Sequence, residues 1–533
     1  MSHIHMFKRR SFQVLLSLLG LTVILFTLQA ATPFTPGFEG SQRSLDPRIQ
    51  KIMNEAVYQY GEWGLLETDP ATGHTIQSLA PAQRLFVQGS TTKIFSVSSA
   101  LNDLGFTHHF TTPVYALGQT NGGSLSGTLV LVAQGDLTMG GRTKPDGTVD
   151  FTDTDHGDAN NFVPGVTLTP ENPLAGINQL AQQVRASGIK HVKGDVVIDD
   201  RLFQPDPNLD PRTNPMIIND NLFDVVVTPG HIGAGPGSVN WRPQVAPFHL
   251  DVQVKTVAAG QTTALSVQPF PDGRLLVSGT IAANAGQQVR VADIPDPAAF
   301  ARTALIEALG RVGVSVSATA TGPNPASELP ANGSYQGDPR VAAYVSPPFS
   351  QYTRMILKIS SNIGADLMLC LMAAKAGSTN CEDGFPVLAS FLARAHVDTS
   401  QIVLTDGHGG PNDRFTPQAV TELLHYWMGR PEFAQFRQML PILGEHGNLA
   451  GICTNCPAMG KVFAKPGTVV AFDSFNNRFF QSEALGGYLE VKPGQFNIFD
   501  VAINNAVLPL TGVAQVFNDL ANISAYLQED AAK

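Results

Sequence analysis

The chain has 533 residues, with 50 glycines, 37 prolines and only 15% charged side chains. That length exceeds one ordinary core, so two or three domains are expected, and an apolar share of 43% excludes a disordered polymer. A net charge of −10 argues against nucleic acid or an anionic surface as the main partner.

Lys8, Arg9 and Arg10 precede a run without charge over residues 14–31, which ends in Ala30 and Ala31. This is the order of a secretory signal, and the run is nearly long enough to span a bilayer. Residues 1–33 therefore read as a signal peptide or a membrane anchor, and residues 34–48 as a linker. Either way, the rest of the chain is exported. Residues 47–60 read as a helix, and 64–67 and 83–87 as strands leading into the helix that opens at Ser90. In that helix Ile94, Phe95, Val97, Ala100, Leu101 and Leu104 share one face, and Gly105 marks the stop.

Strands follow at 112–117 and 127–133, a helix at 173–186 and a strand at 191–199. Short strands then recur at 224–228, 248–254, 263–267 and 275–278, the spacing of a small β-rich insertion. Residues 297–313 form an amphipathic helix and 352–374 a long apolar one. A third, over 416–427, is entered through Thr416 and Pro417 as cap and first residue. Strand runs at 461–464, 483–491 and 497–503 and a helix at 512–527 close the chain. Strands with long helices at both ends give an α+β fold.

The four cysteines Cys370, Cys381, Cys453 and Cys456 suit an oxidising compartment. Proximity favours the pairs 370–381 and 453–456, although the sequence allows three connectivities. A four-cysteine zinc site is the alternative, but only one pair has ligand-like spacing.

Three triplets carry chemistry. Ser90 and Lys93 lie three apart on a helix, which stacks them on one face. A serine attacks only when a base takes its proton, and a lysine kept neutral by burial can be that base. The helix opening also aims N–H groups at an oxyanion. The same spacing recurs from Ser187 to Lys190, which reads as a helix exit. Ser360 and Asn362 add a second hydroxyl and an amide; Ser238 with Asn240 and Ser474 with Asn476 match that triplet but read as loops. Lys465, Pro466, Gly467 and Thr468 follow a strand, where the glycine lets a substrate backbone approach the sheet edge. Lys492, Pro493 and Gly494 read instead as a hairpin turn. The glycines between 233 and 237 lack the strand and helix of a dinucleotide loop.

In this order the triplets resemble the Ser-x-x-Lys, Ser-x-Asn, Lys-[Thr/Ser]-Gly set of serine penicillin-recognising enzymes. Their separations resemble the class C low-molecular-mass penicillin-binding proteins, the D-alanyl-D-alanine carboxypeptidase/endopeptidase family. Flanking sequence at 127–136, 194–198, 356–366, 406–409, 414–417 and 440–447 is similar too, and the likeness runs from about residue 47 to 521. It implies a β-lactamase/transpeptidase-like domain, an antiparallel sheet with helices on both faces. That domain would comprise residues 49–112 and 340–533, interrupted by a β-rich insertion over 113–339. It also implies Ser90 as nucleophile, Lys93 as base, Ser360 as proton relay, Asn362 as holder of the substrate amide and Lys465 as the positive charge. The N–H groups of Ser90 and Thr468, beside Gly467, would form the oxyanion hole. The implied partners are peptidoglycan stem peptides and, as covalent inhibitors, β-lactams. No metal or organic cofactor is implied, and the implied location is extracytoplasmic, in the periplasm or on the cell-wall side.

The chain departs from that pattern at Pro466, where a hydroxyl for the terminal carboxylate is expected, at a cost of ~1–3 kcal/mol if it is not replaced. His408 stands where serine is common; a lone histidine beside a turn is usually structural, and the alternative is a site neighbour that tunes a pKa. Ser361 replaces an aspartate. Two readings follow: an active peptidase, or a weakened homologue that binds cell-wall peptide or a partner protein. A β-lactamase is a third, but no efficient deacylating base is evident.

Overall fold

The computed structural model describes residues 44–533 except 80–81, 162–164, 476–477, 510–511 and 513. The segment read as signal or anchor, and most of the linker, lie outside the described residues. Among the described residues no helix is long and apolar enough to cross a membrane.

The two ends of the sequence build one antiparallel sheet. Its strands run in the order Val462–Asp473, Arg478–Lys492, Gln495–Pro509, Glu62–Asp69 and His74–Leu79. Leu65 faces Val501 across one seam, and Ala484 faces Ala502 across another. Successive side chains alternate between faces. Phe499, Val501 and Ile503 pack with Val516, Leu520, Ile523 and Leu527 of the helix Gln515–Ala531. Ile498 and Tyr488 turn the other way, into a larger helical core with Val420, Leu424, Ile94 and Phe95. The fold is α+β with helices on both faces of the sheet, as the resemblance implied.

The helix Lys93–Leu104 is the axis of that larger core, and its apolar residues from Ile94 to Leu101 are at most 1% exposed. Each such Leu or Phe contributes about 1.5–3 kcal/mol. Its serines are buried as well, and they are satisfied. Ser96 Oγ donates to the Gly407 carbonyl at 2.8 Å, and Trp427 Nε1 donates to Ser98 Oγ at 2.7 Å.

The chain leaves this unit on Thr111–Asn121 and returns on Arg340–Val345, which pair antiparallel. Between them lie a six-stranded mixed sheet that these two strands share, covered by the helices Ala175–Ala186 and Pro297–Arg311, and two three-stranded sheets. The three-stranded sheets share a core of Val225, Val227, Val254, Val277 and Ile281.

Several local expectations need correction. Residues 83–87 are not a strand: His74–Leu79 takes the sheet edge, and Phe86 makes only an isolated bridge to Phe415. The 352–374 helix is two helices, Phe349–Ile359 and Asn362–Lys375, because Ser360 is left-handed at φ 61° and Ser361 caps the second by accepting from Gly364 N. The helices Gly384–Arg394 and Phe433–Met439 and the strands Ser238–Arg242 and Gln288–Asp293 were not foreseen. Ser238 and Asn240 thus lie in a strand, not a loop. Cys370 is bonded to Cys381 and Cys453 to Cys456, so no thiolate is left for zinc.

Candidate active site

Ser90 lies in a tight turn, Gly89–Thr92, that feeds the buried helix. Two glycines explain how it meets the sheet. Gly89 is left-handed at φ 51°, and a Cβ there would sit 2.7 Å from Thr468 N. A Cβ on Gly467 would sit 2.8 Å from Ser90 N. Backbone therefore packs on backbone, and the turn at Gly89 and Ser90 lies against Gly467 and Thr468.

Lys93 is fully buried. Its Nζ lies 2.7 Å from Ser90 Oγ and donates to Asn362 Oδ1 and to the His408 carbonyl, each at 2.8 Å. Burial pushes the amine down to about 8, and the charges of Asp366 and Asp406 offset that only in part. A neutral amine has two protons and one lone pair. With both protons held by Asn362 and His408, the lone pair is left for the proton of Ser90.

A second amine–hydroxyl pair stands opposite. Lys465 Nζ, also fully buried, lies 2.9 Å from Ser360 Oγ and donates to the Pro466 carbonyl at 2.7 Å. The break between the two helices aims Ser360 at Lys465 and sets Asn362 as the first residue of its helix. A left-handed non-glycine residue costs about 1–3 kcal/mol and persists only when its surroundings hold it. Burial, then the charge of Lys93, push Lys465 well below the ordinary lysine value, against Asp158 and Glu483.

His408 presents its carbonyl to Lys93 and its ring to Asp366, with Nδ1 at 2.8 Å from Oδ2. Burial lowers the imidazole, but the Asp366 hydrogen bond and the charges of Asp366 and Asp406 outweigh it, and His408 titrates above its ordinary value. Asp406 accepts from the N–H groups of His408, Gly409 and Gly410, which fastens the loop.

Pro466 occupies the edge strand of the sheet, where no ladder hydrogen bond is lost to it. The structure thus gathers Ser90, Lys93, Ser360, Asn362, Lys465, Gly467, Thr468 and His408 in one cleft, while the two disulfides lie elsewhere. Lys190 is exposed beyond a helix end, and Lys492 opens a hairpin turn.

Four carboxylic acids were missed as site residues. Asp366 and Asp406 sit in the flanking matches but announce no role by spacing. Asp158, in the turn His156–Asp158 of the insertion, acts electrostatically on both Lys93 and Lys465. It lies in a Gly- and Asp-rich stretch with no periodicity to read. Glu483, behind Thr468, was also missed; it looks like any strand residue in the sequence.

Comparison with known proteins agrees with this geometry. The family model described as the D-Ala-D-Ala carboxypeptidase 3 (S13) family matches residues 47–517. A D-alanyl-D-alanine carboxypeptidase from Actinomadura sp. (strain R39) is 25% identical over 518 residues, covering 92% of this chain and 89% of its own. Penicillin binding protein 4 from Haemophilus influenzae superposes with a TM-score of 0.67 at 18% identity, over 91% of this chain and 99% of its own. Its complex with a β-lactam gives a TM-score of 0.64 at 19% identity, over 91% and 98%. The chain belongs to the D-Ala-D-Ala carboxypeptidase 3 (S13) family and is a serine-type carboxypeptidase.

Proposed function

We propose that Ser90 and Lys93 carry the reaction through an acyl-enzyme on the D-Ala-D-Ala bond of peptidoglycan stem peptides. Ser90 Oγ attacks the carbonyl carbon as its proton passes to the Lys93 lone pair. The oxyanion is met by the N–H groups of Ser90 and Thr468, the kind of preorganised stabilisation that is usually the largest single term. The C–N bond then breaks, and the departing D-Ala takes a proton delivered from Lys93 through Ser360. Water releases the acyl group and restores Ser90.

Asn362 holds the substrate amide as well as Lys93. Lys465 supports Ser360, and an incoming carboxylate raises its pKa again and restores its charge. β-Lactams acylate the same serine. The reaction takes place outside the cytoplasm, with residues 1–33 directing export or anchoring. Residues 49–112 and 340–533 form the catalytic domain, and 113–339 the insertion that lends Asp158 to the cleft.

One observation carries this reading: a buried lysine, lowered to about 8, lies 2.7 Å from a serine hydroxyl with its two donors already engaged. A fluorescent penicillin should label the protein lacking residues 1–33, and Ser90→Ala should abolish the label. Folded protein that takes no label would sink the reading and favour a weakened homologue that binds cell-wall peptide.

A further inference from the structure

Pro466 removes one hydroxyl from the strand that flanks Ser90, which leaves Thr468 as the nearest hydroxyl on that strand beyond it. Thr468 is not free to point as it likes. Its Oγ1 lies 2.8 Å from Oε1 of Glu483, directly across the ladder on the neighbouring strand. Glu483 is 1% exposed, and its other oxygen accepts from Gln481 Nε2 at 2.6 Å. A proton on this carboxyl therefore belongs on Oε1, facing Thr468.

The direction of one hydrogen bond follows from that proton. With Glu483 neutral, Oε1–H donates to Thr468, and the threonine proton is free to bind an anion. With Glu483 ionised, Thr468 must donate to it, and only lone pairs and a buried negative charge face the cleft. We propose that Glu483 is a positioning residue whose proton sets the polarity of the Thr468 hydroxyl, making Thr468 the donor that reads the substrate's terminal carboxylate in place of the hydroxyl lost at Pro466.

Burial raises Glu483 to about 8, against its bonds from Thr468 and Gln481 and the charge of Lys465, so the donor form prevails at neutral pH. The ionisable groups that face it are Lys465 on the edge strand and Tyr58, whose phenol donates to Asp519 of the C-terminal helix. Neither places a fixed cation against the carboxyl, because Lys465 is itself pushed toward neutrality.

The inference rests on the proposed peptidase reading, and the test separates the two. The initial-rate KM would be measured from pH 6 to 10 on a peptide ending in D-Ala-D-Ala and on the same peptide amidated at its C-terminus. In the wild type, KM for the free acid should rise about tenfold above pH 8, one charge-assisted hydrogen bond's worth, while the amide shows no such rise. Glu483→Gln, whose amide donates to Thr468 at every pH, should abolish the rise for the acid. If that variant does not fold, Thr468→Ala keeps the oxyanion N–H and should raise KM about tenfold for the acid alone at pH 7. A high-pH rise shared by acid and amide, or one that persists in Glu483→Gln, would overturn the inference while leaving the peptidase standing. No turnover of the acid and no penicillin label at any pH would remove both.

Discussion

Lys93 and Lys465 in the cleft and Arg142 and His156 in the insertion are all buried bases, and they end in opposite states. In the insertion each base meets carboxylates. Arg142 lies 2.6 Å from Asp155 and 3.3 Å from Asp220, while His156 is held by Asp224 at 2.7 Å and by Asp220 at 2.9 Å. Burial opposes a charge on His156, but Asp224 and Asp220 outweigh it and lift it to about 10. In the cleft the amines touch only hydroxyls, an amide oxygen and carbonyls. The acids that act most on Lys93, Asp366 and Asp406, are engaged by His408 and by backbone N–H groups. Desolvation therefore wins there. Carboxylates in contact keep the charge in one region, and in the other their absence lets burial lower the amines.

The contrast can be broken in order of size. Lys93→Met should slow acylation by penicillin at least about 10⁴-fold, as expected for loss of a catalytic base that acts in concert with its serine. The same substitution should leave the urea midpoint unchanged or raised, because it removes an amine with no charged partner. Asp220→Ala should do the reverse. It takes one of two carboxylates from each of Arg142 and His156, so unfolding free energy should fall by about 1.5–3 kcal/mol, while the folded fraction still takes the label. Equal destabilisation by both substitutions would erase the distinction.

Titration sharpens the comparison further. The acylation rate should follow an apparent pKa near 8 and fall about tenfold per pH unit below it, because only neutral Lys93 can take the proton. The folded pKa of His156 is raised above the ordinary 6.5. Its contribution to stability is therefore complete below about pH 6.5 and is lost as pH rises toward 10. Urea titrations between pH 6 and 10 should show that loss in the wild type and not in His156→Leu. The smallest effect belongs to the link between acid and loop. Asp366→Asn weakens the hold on His408 and should slow acylation only several-fold, or about 1 kcal/mol, since Asp406 still fastens the loop backbone.

Much of this was legible before any coordinates. The pairing of Ser90 with Lys93 follows from helical spacing, and the α+β class from strands and helices read one at a time. Thr416 and Pro417 do cap and open the helix Pro417–Met428, with Thr416 Oγ1 accepting from Ala419 N. The failures have a common cause. Residues 83–87 end in the strand-forming run Leu85, Phe86 and Val87, but the sheet edge they would need is filled by His74–Leu79. The apolar run over 352–374 carries no proline, and its one glycine, Gly364, lies four residues past the break at Ser360.

By itself, the order of residues placed Ser90 beside Lys93 and marked the three motif positions, because those depend on neighbours a few residues apart. It also determined that the chain would fold into more than one layer around a buried serine–lysine helix. Only the tertiary structure decided what surrounds them: how the two ends of the chain join in one sheet, whose carbonyl takes the second proton of Lys93, and which acid stands behind Thr468. Those contacts join residues as far apart as Lys93 and His408, separated by 315 positions, and no local pattern encodes a partner at that distance. Their energies come from burial and from the count of carboxylates within reach, and both exist only once the chain is packed.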